Sequence, residues 1–196
     1  MKLHLYYTVL SWLVNSICKT GIAFSGKIYY NLVREVNQLA KEIKTNAMRF
    51  LETKKIVYEA LSYECDEFTD GVDMASKLNI EPERTFKTLV AQGKSENYYV
   101  FVIPVAQELD LKKAAKTVGE KSVELIPVKQ ITAVTGYVRG GCTPIGMKKQ
   151  FKTVIHDSAG ELDTFYISGG KIGLQLKLNP VKLSEAINAV FENIIF

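Results

Sequence analysis

A chain of 196 residues, 47% hydrophobic and 23% charged, is long enough to bury a core in one domain with a modest extension. Its formal charge of +4 divides unevenly: residues 1–40 carry Lys2, Lys19, Lys27 and Arg34 against Glu35, a net +3, and the remainder sets 21 basic against 20 acidic residues. A near-neutral body excludes a broad grip on long stretches of RNA, and any nucleic-acid contact should be small or shared with a partner.

The three cysteines, Cys18, Cys65 and Cys142, are odd in number and far apart, which excludes a disulfide framework and favours a reducing cytoplasm. His4 and His156 form no cluster with zinc-ligand spacing, so neither a metal nor a cofactor is expected.

Leu5 to Cys18 is uncharged and rich in aromatic and β-branched residues, yet too short for a bilayer span. Three readings stay open for residues 1–40: an upstream start called too early, an accessory segment, or a targeting segment with Ala23-Phe24-Ser25 as its cleavage site. The domain proper is expected over 41–196.

Thr45 can cap a helix over Asn46 to Thr53, with Met48, Phe50 and Leu51 as its apolar side. Ile56 to Tyr63 reads as a strand, and Asp70 to Asn79 as a helix with Val72, Ala75 and Leu78 on one side, stopped by Glu81-Pro82. Two β-rich runs follow, Thr85 to Ala91 and Tyr98 to Pro104, joined by the polar turn Gln92 to Asn97. Asp110 can cap a helix that Gly119 ends, and Pro127 can open one that Gly136 ends. Phe151 to Ile155, Thr164 to Ser168 and Ile172 to Leu178 read as strands. Asn179 and Pro180 begin a last helix whose stripe is Leu183, Ile187, Val190 and Ile194. The irregular order argues against a doubly wound parallel sheet and for an α+β domain with a mixed sheet.

None of the standard catalytic signatures is present: no GxSxG elbow, no phosphate-binding GxxxxGK[ST] loop, no HExxH. Cys142 with His156 is one pairing that pattern leaves open, although a lone cysteine and a lone histidine more often pack or face solvent. Gly136, Gly140, Gly141 and Gly146 crowd the stretch GYVRGGCTPIG, where bare backbone can approach a ligand and turn N–H groups can cradle an oxygen. Ser168-Gly169-Gly170-Lys171 reads as a hairpin turn, and Lys87 within RTFKTLV reads as a strand lysine.

Taken in order, RTFKTLV (84–90), PVAQELDLKKAAK (104–116), GYVRGGCTPIGMKK (136–149) and FYISGGKIGLQL (165–176) resemble the YbaK/EbsC family of bacterial aminoacyl-tRNA deacylases. That family is related to the editing domain inserted in some prolyl-tRNA synthetases, and the similarity spans about Thr45 to Ile195. The resemblance implies a single compact α+β domain with a mixed, strongly curved, barrel-like sheet surrounded by helices. It implies release of cysteine from Cys-tRNA(Pro), and from Cys-tRNA(Cys) in some members. Such clearance is needed because a small apolar size difference yields only ~1–3 kcal/mol of discrimination at a synthetase.

By the same resemblance Lys87 holds the terminal adenosine of the aminoacyl-tRNA acceptor end, with Thr88 beside it. Gly140, Gly141, Cys142, Thr143 and Pro144 form the G-x-x-x-P loop around the aminoacyl ester. Ser168, Gly169 and Gly170 face the same pocket, and Tyr63 stands on its wall. Cys142 occupies a variable loop position and is not expected to be a nucleophile. His156 stands where relatives commonly have an acidic residue, and Gln175 where some have Asp. The family's implied chemistry is attack by the substrate's own thiol, and its implied protein partner is prolyl-tRNA synthetase.

Overall fold

The computed structural model describes residues 44–63 and 70–196. The expected break near residue 40, the Leu5–Cys18 segment, and Cys18 and Cys65 lie outside the described residues. From Thr45 to Phe196 the chain forms one compact unit.

Helix α1, Asn46–Thr53, starts where Thr45 accepts a hydrogen bond from the Met48 N–H, and it buries Ala47, Met48 and Leu51. Strand β1 is Tyr58–Ser62; Ile56 packs in the core ahead of it while Val57 faces solvent. Helix α2, Gly71–Lys77, is shorter than its periodicity predicts and buries Met74 and Ala75, so Val72 is not on the core face. Strands β2, Thr85–Gly93, and β3, Tyr98–Pro104, form a long antiparallel hairpin. Asp110 caps α3, Leu111–Val118, and Gly119 ends it with a left-handed φ of 82°.

Strand β4 is Val123–Leu125, and α4 is Val128–Thr135. Strands β5, Lys152–His156, β6, Phe165–Ser168, and β7, Leu174–Leu178, then lead to α5, Pro180–Ile187. The last stripe does not continue as a helix. Asn188 turns left-handed at φ 53°, Val190 enters strand β8 (Val190–Glu192) largely exposed, and Ile194 is buried in a different cluster.

The strands form one mixed sheet in the order β1-β7-β6-β2-β3-β5-β8, with β4 paired to β2 off this path. The order is open, running from β1 to β8 without closing into a ring. Central strand β3 is covered on both faces: Val100, Phe101, Val102 and Ile103 are all fully buried. Phe101 and Ile103 pack with Ala114, Ala115 and Val118 of α3, whereas Val102 joins Leu51 of α1 and Leu183 of α5.

One feature of the pairing positions the site. Along one edge, β2 pairs with β6 only at Thr85 and Phe86, and with β4 only from Ala91 to Gly93. The sheet therefore splits beside Lys87–Val90.

Candidate functional site

A cavity of about 600 Å³ opens at this split. Such a volume falls within the roughly 300–1,000 Å³ of ligand sites and exceeds what an amino acid alone requires. Lys87, Thr88, Leu89 and Val90 of β2 line its centre, Tyr63, Ser168 and Gln175 one side, and Arg139, Gly140 and Cys142 another. Leu125 of β4, Ile126 just after it, and Val128 and Ile131 of α4 supply an apolar wall.

Lys87 is half-buried, and its Nζ donates to the Val105 carbonyl at 2.9 Å. Burial lowers its pKa below the ordinary lysine value, with the Asp70 and Glu108 carboxylates pulling in the opposite direction. Both carboxylates also line the cavity. The ammonium is thus tethered at one point and has two further donors for a ligand.

Two loops meet on the opposite side. Gly136 ends α4 with a φ of 86°, and the buried Tyr137 hydroxyl then donates to the Ile145 carbonyl at 2.6 Å, stapling the intervening loop. Burial pushes the Tyr137 pKa up to about 12. Gly140 adopts φ 80° within the staple. The second loop, between β6 and β7, is held to α1 by Thr45, whose Oγ1 donates to the Gly169 carbonyl at 2.6 Å. A Cβ on Gly169 would lie 2.6 Å from the Leu174 side chain, and Gly170 adopts φ 93°.

The expected site residues divide into two groups. Tyr63, Lys87, Thr88, Gly140, Cys142 and Ser168 line the cavity. Gly141, Thr143, Pro144, Gly169 and Gly170 belong to the same two loops but do not line it, and Gly141, Thr143 and Pro144 are buried behind. Burial pushes the Cys142 thiol up to about 11, so it is protonated at neutral pH. His156 does not line the cavity either: its Nδ1 lies 2.8 Å from Ser158 Oγ, and its Nε2 is 3.2 Å from Asp157 Oδ1 without hydrogen-bond geometry. The Cys142–His156 pairing thus lacks both an ionised thiol and a shared cavity.

Several lining groups were not singled out from pattern. Gln175, noted in the sequence only as a departure from relatives that have Asp, sits opposite Ser168 in the β6–β7 register, so both side chains leave the same face. Ser168 Oγ and Gln175 Oε1 are buried without a hydrogen-bond partner, as is Thr88 Oγ1. Buried polar atoms are nearly always satisfied, so three orphans around one cavity mark it as built for a polar ligand. Asp70 was legible only as the start of a helix, and Glu108 only as part of the stretch PVAQELDLKKAAK. Among the described residues no group of three or more His, Cys, Asp or Glu is arranged to hold a metal ion. No described helix is long and apolar enough to cross a membrane.

Residues 65–186 match the model of the aminoacyl-tRNA editing domain family. The chain is 44% identical over 152 residues to the Enterococcus faecalis (strain ATCC 700802 / V583) protein "Putative Cys-tRNA(Pro)/Cys-tRNA(Cys) deacylase EbsC", covering 77% of this chain and 93% of that one. Two solved structures share the fold. One, "hypothetical protein APE2540", has a TM-score of 0.72 at 21% identity, covering 78% of this chain and all of that one (100%). The other, "a putative trans-editing enzyme for prolyl tRNA synthetase", has a TM-score of 0.68 at 20% identity, covering 79% and 99%.

Proposed function

Because the chain belongs to the aminoacyl-tRNA editing domain family, we propose that it is a trans-acting deacylase that releases cysteine from mischarged Cys-tRNA(Pro). The observation that carries this reading is the convergence of Lys87, Gly140 and Ser168, three residues from separate motifs, on one cavity whose lining thiol is protonated. The deacylase domain occupies 41–196.

With Cys142 neutral, the nucleophile comes from the substrate. The cysteinyl thiol attacks its own ester carbonyl, a C–S bond forms, the C–O bond to the ribose breaks, and the thiol proton passes to the departing ribose oxygen. The products are a cyclic thiolactone and free tRNA. Lys87 anchors the terminal nucleotide as a compact charge, and the backbone N–H groups of Gly140 and Cys142, the two residues of the Gly140–Pro144 loop that line the cavity, stabilise the developing oxyanion. Holding thiol and carbonyl in attack geometry lowers the barrier without a protein base. A near-neutral body matches action beside prolyl-tRNA synthetase, which supplies the wider tRNA grip.

Two other readings give different outcomes. A positioned water would also release amino acids that lack a thiol. A binding module without catalysis would protect the ester. Catalytic amounts of the full chain are mixed with Cys-, Ser- and Ala-tRNA(Pro): multiple turnover on Cys-tRNA(Pro), with far slower release of serine and alanine, is the expected result. Equal rates on cysteine and alanine sink the thiol mechanism. Protection of the ester sinks the enzyme.

A further inference from the structure

The split edge of β2 has a defined polarity. The Val105 N–H donates to the Thr85 carbonyl at 2.8 Å, and the Gly93 N–H donates to Asn97 O at 2.8 Å, so odd-numbered residues of β2 turn their main-chain groups toward β3. On the opposite edge the Ile126 N–H donates to the Val90 carbonyl at 3.0 Å. Alternation then turns the N–H and C=O of Thr88, two residues earlier, toward that same edge. There β6 stops at Phe86 and β4 starts at Ala91, so no strand meets Thr88. Thr88 lines the cavity, and its Oγ1 is buried without a partner. The half-buried Thr88 thus offers a main-chain donor and acceptor, left unpaired by the sheet, to a ligand in the cavity.

The opening from Phe86 to Val90 is roughly 13 Å long at ~3.3 Å per residue, closed at one end by β6 and at the other by β4. That is too short for an added peptide strand and suits one flat heterocycle. Leu125, Ile126, Val128 and Ile131 form the apolar wall beside it, and Leu125 and Val128 remain 48% and 53% exposed at its rim. A purine base has apolar faces for such a wall and, on one edge, adjacent donor and acceptor atoms.

We propose, resting on the deacylase reading, that the unpaired edge of β2 at Thr88 reads the base of the substrate's 3′-terminal adenosine. The Thr88 carbonyl accepts from the 6-amino group and the Thr88 N–H donates to ring nitrogen N1, with the ring against Leu125, Ile126, Val128 and Ile131. This assignment separates the work along one strand: Lys87 holds the phosphate and ribose, and Thr88 holds the base through main chain that side-chain substitution cannot remove.

The test uses the full chain and Cys-tRNA(Pro) ending in adenosine, in purine riboside (no 6-amino group) or in 1-deazaadenosine (no N1). Each altered end should raise KM by about tenfold, the factor carried by one hydrogen bond of roughly 1.4 kcal/mol, with kcat little changed. Thr88→Val, which keeps the main chain, should preserve that discrimination. A parallel titration of isotope-labelled protein with adenosine monophosphate and purine riboside monophosphate follows the Thr88 and Ile126 amide resonances, and only the former should shift them strongly. Equal KM values on the three ends, with deacylation intact, overturn the base subsite and leave the deacylase standing. Selective adenosine shifts at Thr88 without any release of cysteine overturn the deacylase and leave the subsite. Neither release nor a shift at Thr88 overturns both.

Discussion

Gly141 lies against the main chain of Lys171: a Cβ built on it would stand 2.9 Å from Lys171 Cα and 3.0 Å from Lys171 C. The loop carrying Gly140 and the turn carrying Ser168 are thereby locked together with no room for a methyl group. Backbone cannot rotate away as a side chain would, so the methyl must push the two loops apart. Gly141→Ala is expected to cost ~1–3 kcal/mol, as overpacking does, and to lower deacylation by more than the stability loss explains. Gly160→Ala is the control, since its Cβ would meet Phe191 at an ordinary 3.8 Å. Urea unfolding and turnover of both variants check this; an unperturbed Gly141→Ala would mean that the loops adapt freely.

Lys87 is the side chain whose removal should affect rate most. Its tether to Val105 fixes the ammonium without using all its donors. Lys87→Ala should keep the fold and lose ~10²–10³-fold in deacylation, the usual cost of one positioned donor. Lys87→Arg should rescue only in part, because a planar fork presents a different geometry. Lys116→Ala, on an exposed helix position, should be neutral. Wild-type turnover by a folded Lys87→Ala protein would return this lysine to being an ordinary strand residue.

The legible parts of the fold were those with local chemistry. Thr45, Asp110 and Asn179 all accept N-cap hydrogen bonds, and Gly119 and Gly136 close helices in the left-handed conformation that glycine tolerates. Strands β4 and β8 were not legible because three residues show no alternation, and both exist through pairing with β2 and β5. The last helix was overextended because Val190 and Ile194 continue an apolar spacing, while Asn188 breaks the chain between them. At the site, motif order drew attention to Lys87, Gly140 and Ser168. The pairing of Gln175 with Ser168 depends on hairpin register, and the open edge at Thr88 depends on where two distant strands stop.

Cys142 should make stability fall at alkaline pH. In the unfolded chain its thiol ionises from about 9, whereas in the folded protein burial delays this to about 11. Between those values the unfolded state binds fewer protons, so this stabilising contribution is complete below about 9 and lost as pH rises toward 11. That delay corresponds to roughly 2–3 kcal/mol. Cys142→Ala should start less stable near neutrality, through its small cavity, and lose less on going to about pH 11. Deacylation near neutral pH should change little. Urea midpoints of the two proteins that stay parallel across the alkaline range would refute the thiol's part in this dependence.

Ser168 and Gln175 present a conflict between stability and binding. The two residues are 9% and 4% exposed, sit opposite each other in the β6–β7 register, and bury Ser168 Oγ and Gln175 Oε1 without partners. Each orphaned atom costs the free protein about 1–3 kcal/mol of lost hydration, a burden that an apolar replacement of similar shape does not carry. A bound aminoacyl-adenosine, rich in N–H and O–H donors, relieves it. Ser168→Ala and Gln175→Leu should therefore leave the free protein as stable as wild type or more so, by up to ~1 kcal/mol each, while weakening substrate binding. Because the two side chains are neighbours, the double variant should lose less than the sum of the single losses in kcat/KM. Melting temperature and kcat/KM are read on all three variants. A destabilised Gln175→Leu protein with unchanged kcat/KM would mean that Gln175 serves the fold, and that its Oε1 is satisfied without ligand.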